Sequence, residues 1–281
     1  MGTEETDRVQ KVMMQTQNLG IVTVGELGSV LAQVTPTAAA FGVSFEQVGA
    51  SLATMTAQGT PAAQATTQLN SILPQSFLNG YDGIKDRLFI KLVHQGSARL
   101  KHTYFRTMFD MALTYHAFIS NNNGSLVSMR ITDSVMNQFG IDPDRMHEDA
   151  LISMQKLFPE NISFIEEYIT NERQDPTPTV VITSARFLCG SSVILYPGAL
   201  QKASSLLNGD IYLIPSSTEE MFAVKDHGKN PETLRYCREK LDGLNSLNRQ
   251  FDPDHLLSDT ILHYDAQMQI LQPAVEFKAI E

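Results

Sequence analysis

The sequence predicts an α+β protein in which a small N-terminal helical bundle precedes a mixed, mainly antiparallel sheet with helices. Helix start and stop signals recur through the first 73 residues. The remainder mixes short β-branched or aromatic runs with helical patterns, and the strand-like runs are sequence neighbours. Such neighbours favour α+β over a doubly wound sheet. We therefore expect a helical segment at residues 1–73, a linker at 74–85 and an α+β domain at 86–281.

The composition is that of an ordinary globular chain. Of its 281 residues, 42% are hydrophobic and 19% are charged, and the formal net charge is −10. An acidic chain is poorly suited to the phosphate backbone of nucleic acids, and no apolar run approaches the roughly 18 residues of a membrane span. Cys189 and Cys237 lie far apart without CxxC spacing, which favours reduced thiols. We expect a cytoplasmic protein that binds neither nucleic acid nor membrane.

The first 73 residues carry closely spaced helix signals. A first helix is expected from Asp7 to Asn18, and a later one opens at the capping box of Ser44 and Gln47 and closes at Gly59. The other signals are Thr23 with Glu26, Thr35-Pro36, Gly42 and Thr60-Pro61. Short helices joined by tight turns are therefore expected.

One of these helices carries an apolar stripe, formed by Phe45, Val48, Leu52 and Met55. Spacings of three and four place these side chains on one helical face. Small neighbours such as Gly49 allow a second helix to approach closely. We expect the stripe to be a helix-packing surface.

The sequence of this segment closely resembles the core region of phage tail tape-measure proteins. The matching residues are VGELGSVLAQVTPTAAAFGVSFEQVGASLATMTAQGTPAAQATTQL. The likeness covers residues of about 7–73. In that family the segment belongs to a long helical protein that sits inside the growing tail tube and sets its length. A wholly helical chain of this size would reach only about 420 Å, and this chain is not all helix. The resemblance implies the ancestry of the segment, and association with a virion, rather than a working ruler.

The helical pattern of the sequence ends at the linker, Pro74 to Lys85, which contains turn-forming residues. A hairpin is expected around Asn121 to Gly124, and Asp142-Pro143 is a helix start. Predicted strands cover residues 87–93, 105–120, 125–132, 179–184, 192–195, 211–214, 221–225, 259–264 and 268–271. Predicted helices cover residues 133–139, 143–158, 162–172, 197–207 and 231–248.

Four stretches of this second region resemble an uncharacterised Firmicutes domain family of unknown function. They are IKDRLFIKLV, FDMALTYHAFI, CGSSVILYPGALQKASSLLNGDIYLIPSSTEEMFAV and LLSDTILHYD, and the likeness spans residues of about 84–265. The chain departs from the family at His94-Gln95-Gly96, where Asn-Tyr-Glu is common, and at Glu219-Glu220-Met221, where His-Glu-Val is usual. The resemblance implies a fold grouping and no mechanism.

Motifs that carry chemistry are absent from the sequence: it has no P-loop, GxGxxG after a strand, GxSxG or HExxH. We therefore predict neither a cofactor nor a metal site. The weak catalytic candidates are Cys189, because a thiol near an imidazole can ionise, and His263 with Asp265, because such a pair can orient a general base. The alternative for each is structural, since a free cysteine is usually a small core residue.

Three functions remain open from the sequence. The favoured one is a non-catalytic fusion protein of a phage or mobile element, which acts by structural or protein–protein binding. Its partner would be another protein, or a second copy bound through the N-terminal helices, in the bacterial host cell. The alternative is an enzyme or small-ligand-binding domain in the C-terminal region. The third is the product of a truncated gene without a selected activity.

Overall fold

The structure, a computed structural model, describes residues 10–17, 45–57, 59–65, 80–122, 125–167 and 177–274. The chain divides into two compact units. Unit 1 contains Met1–Lys85 and Ile119–Asp142, and unit 2 contains Asp86–Phe118 and Pro143–Glu281. Antiparallel sheets combined with helices confirm the predicted α+β class. Within the described ranges, no helix has the length and apolar character needed to cross a membrane.

Unit 1 contains a closely packed pair of helices. Residues 10–17 are helical, and helix α1 spans Phe45–Ala57. A Cβ placed on Gly49 would lie 2.6 Å from Thr16 Oγ1 and 3.0 Å from Val12 Cγ1. The two helices therefore approach each other at this glycine, where there is no room for a side chain.

The predicted apolar stripe lies on α1. Val48 and Leu52 are 4% and 1% exposed, Met55 is half-buried, and the side chain of Phe45 lies outside the described residues. Gly59 has a φ of 91°, a left-handed conformation that suits the predicted helix stop. The signals predicted at Thr23 with Glu26, Thr35-Pro36 and Gly42 also lie outside the described residues.

Further described elements of unit 1 are short: helix α2 (Tyr81–Ile84), strand β4 (Ser125–Arg130) and helix α3 (Asp133–Phe139). Thr132 caps α3, since its Oγ1 accepts a hydrogen bond from Val135 N at 3.3 Å. Gly140, with a φ of 58°, ends the helix in the left-handed conformation.

The first sheet of unit 2 contains β1 (Leu88–His94), β2 (Phe105–Met108) and β3 (Met111–Asn122), with β3 in the centre. β3 runs antiparallel to both neighbours, and its last residues, from Ile119, belong to unit 1, where β4 pairs with β3.

The prediction of one strand over residues 105–120 was wrong, because a tight turn at Phe109-Asp110 separates β2 from β3. Phe109 has a φ of 57°, which is uncommon for an aromatic residue. The Asp110 carboxylate accepts hydrogen bonds from Ser258 Oγ at 2.6 Å and from Asp259 N at 2.8 Å. Distant residues therefore hold a turn that carries no local glycine signal.

Helix α4 (Pro143–Leu157) packs against β1. Phe89, which is fully buried, meets the Phe158 ring edge-on at a centroid distance of 5.1 Å. The Tyr196 hydroxyl lies 3.1 Å from Met154 O and 2.8 Å from Phe158 O. These contacts tie the end of the helix to the core of unit 2.

The second sheet of unit 2 has six antiparallel strands in the order β10-β9-β7-β8-β6-β5. Its strands are β5 (Glu160–Phe164), β6 (Thr179–Ser184), β7 (Ile211–Ser217), β8 (Glu220–Lys225), β9 (Leu262–Asp265) and β10 (Ile270–Pro273). Five predicted strands, those at residues 179–184, 211–214, 221–225, 259–264 and 268–271, correspond to β6–β10.

Two predicted elements of this region were wrong. The helix expected at 162–172 begins instead as β5, followed by a 3-10 turn at Ile165–Glu167, because Ile162 is buried and pairs with Ile182. The strand expected at 192–195 is a 3-10 helix at Gly190–Leu195. In both cases, long-range contacts override a local preference.

Two further helices cover this sheet. Helix α5 (Ala199–Leu207) ends at Asn208, whose φ is 54°. Helix α6 (Pro231–Phe251) is capped by Asn230, whose Oδ1 accepts from Glu232 N at 2.9 Å. α6 packs on β7, and the buried residues of that contact are Tyr212, Ile214, Val224, Leu234, Cys237, Leu241 and Ile261.

A β-bulge lies at the end of β7. Ile214 pairs with Phe222 and Ser217 pairs with Glu220, so Pro215 and Ser216 together oppose one residue of β8. Proline tolerates such a position because it has no N–H to offer the ladder. The bulge sets the direction of the turn that connects β7 to β8.

Candidate functional site

Cys189, a weak catalytic candidate from the sequence, lies in a buried polar loop that is hydrogen-bonded to the β7–β8 turn. Its backbone N–H donates to Glu219 Oε2 at 2.5 Å. Ser191 Oγ donates to Thr218 O at 2.8 Å, and Thr183 Oγ1 donates to Glu219 O at 2.7 Å. The loop and the turn therefore form one hydrogen-bonded structure.

Gly190 lies where the loop and the turn approach most closely. A Cβ built on it would lie 2.1 Å from Glu219 O, 2.2 Å from Thr183 Oγ1 and 2.8 Å from Ser184 N. Two of these atoms are backbone, so they cannot rotate away. The loop has room for glycine alone at this position.

Glu219 places a carboxylate beside this loop, near two basic side chains. Lys91 Nζ lies 3.6 Å and His255 Nε2 lies 3.9 Å from Glu219 Oε1. Burial raises the pKa of the Cys189 thiol to about 12, with Lys91 opposing the rise and Glu219 adding to it. At neutral pH the thiol is therefore protonated, whereas nucleophilic attack requires a thiolate.

We expect neither cysteine of the native chain to react with an alkylating reagent. Cys189 and Cys237 are 3% and 0% exposed, and burial is the main cause that raises the pKa of each thiol to about 12. Iodoacetamide at pH 8 should add no mass to the native protein and two adducts after unfolding in urea, as counted by intact-mass spectrometry. Rapid alkylation of Cys189 in the native protein would contradict this expectation.

His263 lies on β9 and is paired with Asp226, which follows β8. His263 Nε2 lies 2.8 Å from Asp226 Oδ2, and the two side chains are 7% and 1% exposed. Lys229 N donates to the other oxygen, Asp226 Oδ1, at 2.6 Å. Burial, followed by the Asp226 charge, raises the pKa of the neighbouring Tyr212 to about 12.

Asp265, the partner predicted for His263, has another role in the structure. Its Oδ1 accepts hydrogen bonds from Gln267 N at 3.0 Å and from Met268 N at 2.7 Å. These bonds stabilise the turn between β9 and β10. The structure therefore does not join the three sequence candidates into one site.

Asp210 brings a second carboxylate to the His263–Asp226 pair. One ligand atom from each of Asp210, Asp226 and His263 lies within 4.8 Å of the other two. Asp226 N donates to Asp210 O at 2.8 Å, and Ala266 N donates to Asp210 Oδ1 at 2.9 Å. We call these three side chains the Asp210–Asp226–His263 cluster.

Sequence reasoning missed Asp210, Asp226 and Glu219. Asp226 and His263 are 37 residues apart, and Cys189 and Glu219 are 30 apart, so no motif spacing links them. The available signal was that Asp210 and Asp226 flank predicted strands, which places both near one edge if those strands pair.

Unit 2 is thus an α+β domain that carries the hydrogen-bonded loop at Cys189 and the Asp210–Asp226–His263 cluster. Helices at residues 10–17 and 45–57 precede it in the chain. Residues 39–266 match the family described as a family of unknown function (DUF5688), and the chain belongs to that family. Residues 1–76 match the family described as phage-related minor tail protein. Both resemblances seen in the sequence are confirmed.

A curated relative adds detail to the N-terminal match. The chain is 77% identical over 75 residues to a probable tape measure protein of Clostridium phage phiCD119. The matched part is 27% of this chain and 8% of that protein, so the chain spans a small fraction of the relative's length. No solved structure matches the chain.

Proposed function

We propose that this chain is a non-catalytic structural protein of a phage or mobile element, which acts by binding protein partners. The observation that carries the proposal is the 77% identity over 75 residues to a probable tape measure protein. In this proposal, residues 1–73 are the tape-measure-like segment, 74–85 are a linker and 86–281 are the second domain. The chain would act in the host cytoplasm and enter the virion.

The geometry around Cys189 supports a non-catalytic role. The thiol is 3% exposed and burial raises its pKa to about 12. The nearby carboxylate of Glu219 accepts the Cys189 N–H, so it serves as a cap for the loop. A cysteine nucleophile needs the opposite environment, electropositive and partly exposed.

The N-terminal helices suggest which face would bind a partner. Val48 and Leu52 of the stripe are 4% and 1% exposed, so they are used within the chain. Met14, in contrast, is 66% exposed on the helical residues 10–17. In the proposal, a protein partner or a second copy binds this outer face.

The test is incorporation into particles. The tagged full chain would be produced in a host that is releasing phage phiCD119, and gradient-purified virions would be probed by immunoblot. We expect the chain to sediment with the particles, and Met14→Glu, a change on an exposed position, to reduce its amount at least severalfold. Absence of the chain from virions would overturn the structural role, and equal incorporation of the variant would overturn the proposed face.

The alternative function, a small-ligand-binding or enzymatic domain in the C-terminal region, keeps one supporting observation. It is the Asp210–Asp226–His263 cluster, in which Asp226 and His263 are buried. Buried titratable groups gathered at one place are a feature of binding sites as well as of structural networks.

A further inference from the structure

We propose that the Asp210–Asp226–His263 cluster binds one divalent transition-metal ion, through one carboxylate oxygen of each aspartate and Nε2 of His263. One imidazole nitrogen with two carboxylate oxygens is a ligand set that suits Zn²⁺ and Mn²⁺. Such a metal site is independent of the structural function proposed above. It would supply a specific ligand, a divalent metal ion, for the ligand-binding alternative.

The distances suit a single ion. Ligand atoms bound to Zn²⁺ lie about 2.0–2.2 Å from the metal, so two of them are at most about 4.4 Å apart. The three atoms of the cluster already lie within 4.8 Å of one another, and His263 Nε2 and Asp226 Oδ2 are 2.8 Å apart. Closing the cluster onto an ion requires only small side-chain movements.

The charge balance also favours a cation. Asp226 is 1% exposed at its side chain, and Asp210, which is half-buried, brings a second carboxylate beside it. Within the described ranges, His263 is the one basic side chain at ion-pair distance from Asp226, and none lies at that distance from Asp210. One imidazole can offset one negative charge at most, whereas a divalent ion offsets both. A buried charge without compensation is costly, and this cost applies to Asp226.

Strand pairing holds the cluster in place. Ile211 of β7 pairs with both Lys225 of β8 and Tyr264 of β9. This register brings Asp210, which precedes β7, to Asp226, which follows β8, and places His263 beside them. One ligand therefore stands on a paired strand, and the other two stand directly beside the ends of paired strands.

Backbone donors orient the two carboxylates. Lys229 N donates to Asp226 Oδ1 and Ala266 N donates to Asp210 Oδ1, each fixing one oxygen of its carboxylate. In metal sites, hydrogen bonds from groups that do not bind the metal orient the side chains that do. Metal binding would replace the contact between His263 and Asp226, because a ligating imidazole nitrogen must be free of its proton.

The test is isothermal titration calorimetry, in which Zn²⁺ is added to the EDTA-treated, buffer-exchanged full chain. We expect one Zn²⁺ per chain. Asp210→Asn should raise the Kd by more than the roughly 10–100-fold that outer-shell changes cause, and Asp226→Asn should do the same. X-ray absorption of the zinc complex should show nitrogen and oxygen neighbours only.

Two matched controls accompany the variants. Asp265→Asn removes a carboxylate charge on the same strand as His263, where it bonds to Gln267 N and Met268 N. His227→Gln removes an exposed imidazole next to Asp226. Both controls should bind Zn²⁺ as the unmodified chain does.

Several results would overturn the proposal. If the unmodified chain takes up no equivalent of Zn²⁺, the cluster is a hydrogen-bonded pair with a neighbouring carboxylate. If Zn²⁺ binding survives Asp210→Asn, or is lost in His227→Gln, the ion is held elsewhere. A sulfur neighbour in the absorption spectrum would contradict the ligand set. If Asp226→Asn fails to fold, Asp210→Asn decides alone. None of these results bears on incorporation into virions, since the assay uses purified protein.

Discussion

Replacing Gly190 with alanine is expected to destabilise unit 2 by roughly 3 kcal/mol or more, the upper range for overpacking. The added methyl group would lie 2.1 Å from Glu219 O and 2.8 Å from Ser184 N, both backbone atoms. It would also displace Thr183 Oγ1, which donates to Glu219 O at 2.7 Å. The loop would have to move away from the turn and lose these bonds.

Thermal unfolding followed by circular dichroism would measure this loss. For domains of this size, 1 kcal/mol corresponds to about 2–4 °C, so the melting temperature should fall by about 6–12 °C. The matched control is Gly243→Ala in α6, where the added carbon has no atom within 4 Å apart from its chain neighbours and the backbone of the helix itself. That change should stabilise the helix by about 0.5–1 kcal/mol. A Gly190→Ala protein that melts within about 2 °C of the unmodified chain would contradict the close approach.

Replacing His263 with phenylalanine is expected to cost about 3–5 kcal/mol in the metal-free protein, the range for breaking a buried pair by removing one partner. The variant would leave the Asp226 carboxylate, whose side chain is 1% exposed, without the imidazole that lies 2.8 Å away. The phenylalanine ring can use the space beside Tyr212, whose ring lies 5.1 Å from that of His263. The loss is therefore one of polar pairing rather than of packing.

The double variant His263→Phe/Asp226→Asn separates these causes. It removes the buried charge together with its partner, so it should be more stable than His263→Phe by about 1 kcal/mol or more. Urea unfolding of both proteins after EDTA treatment would give the difference. If the single and double variants unfold at the same urea concentration, the cost arises from packing and the pair contributes little.

Much of the fold could be predicted because its signals are local. The β-branched run at Thr179–Ser184 forms β6, and Pro143 begins α4 as its position at a helix start indicated. Residues 162–164 could not be assigned from local pattern, because their strand state depends on pairing with β6. The turn at Phe109 depends equally on distant residues, since Ser258 and Asp259 bond to its neighbour Asp110.

The candidate site shows the same division. Residue type and local sequence were enough to select Cys189 and His263, since thiols and imidazoles are reactive groups and Asp265 lies two residues after His263. Their partners, Glu219 and Asp226, could not be selected, because the pairing of β7 with β8 and β9 brings them into place. Asp265 was chosen for its closeness in sequence to His263, whereas the sheet supplies a different carboxylate.

The bulge in β7 also constrains which deletions this chain can accept. Deleting Pro215 or Ser216 would restore one-to-one pairing with β8, so the ladder itself would tolerate the loss. The same deletion would remove the local bend and extra twist that the bulge gives the strand, and so change the direction in which the turn leaves β7. The Glu219 carboxylate would then lose the hydrogen bond that it accepts from the Cys189 N–H. A deletion that restores regular pairing in the sheet is thus expected to disrupt the loop at Cys189.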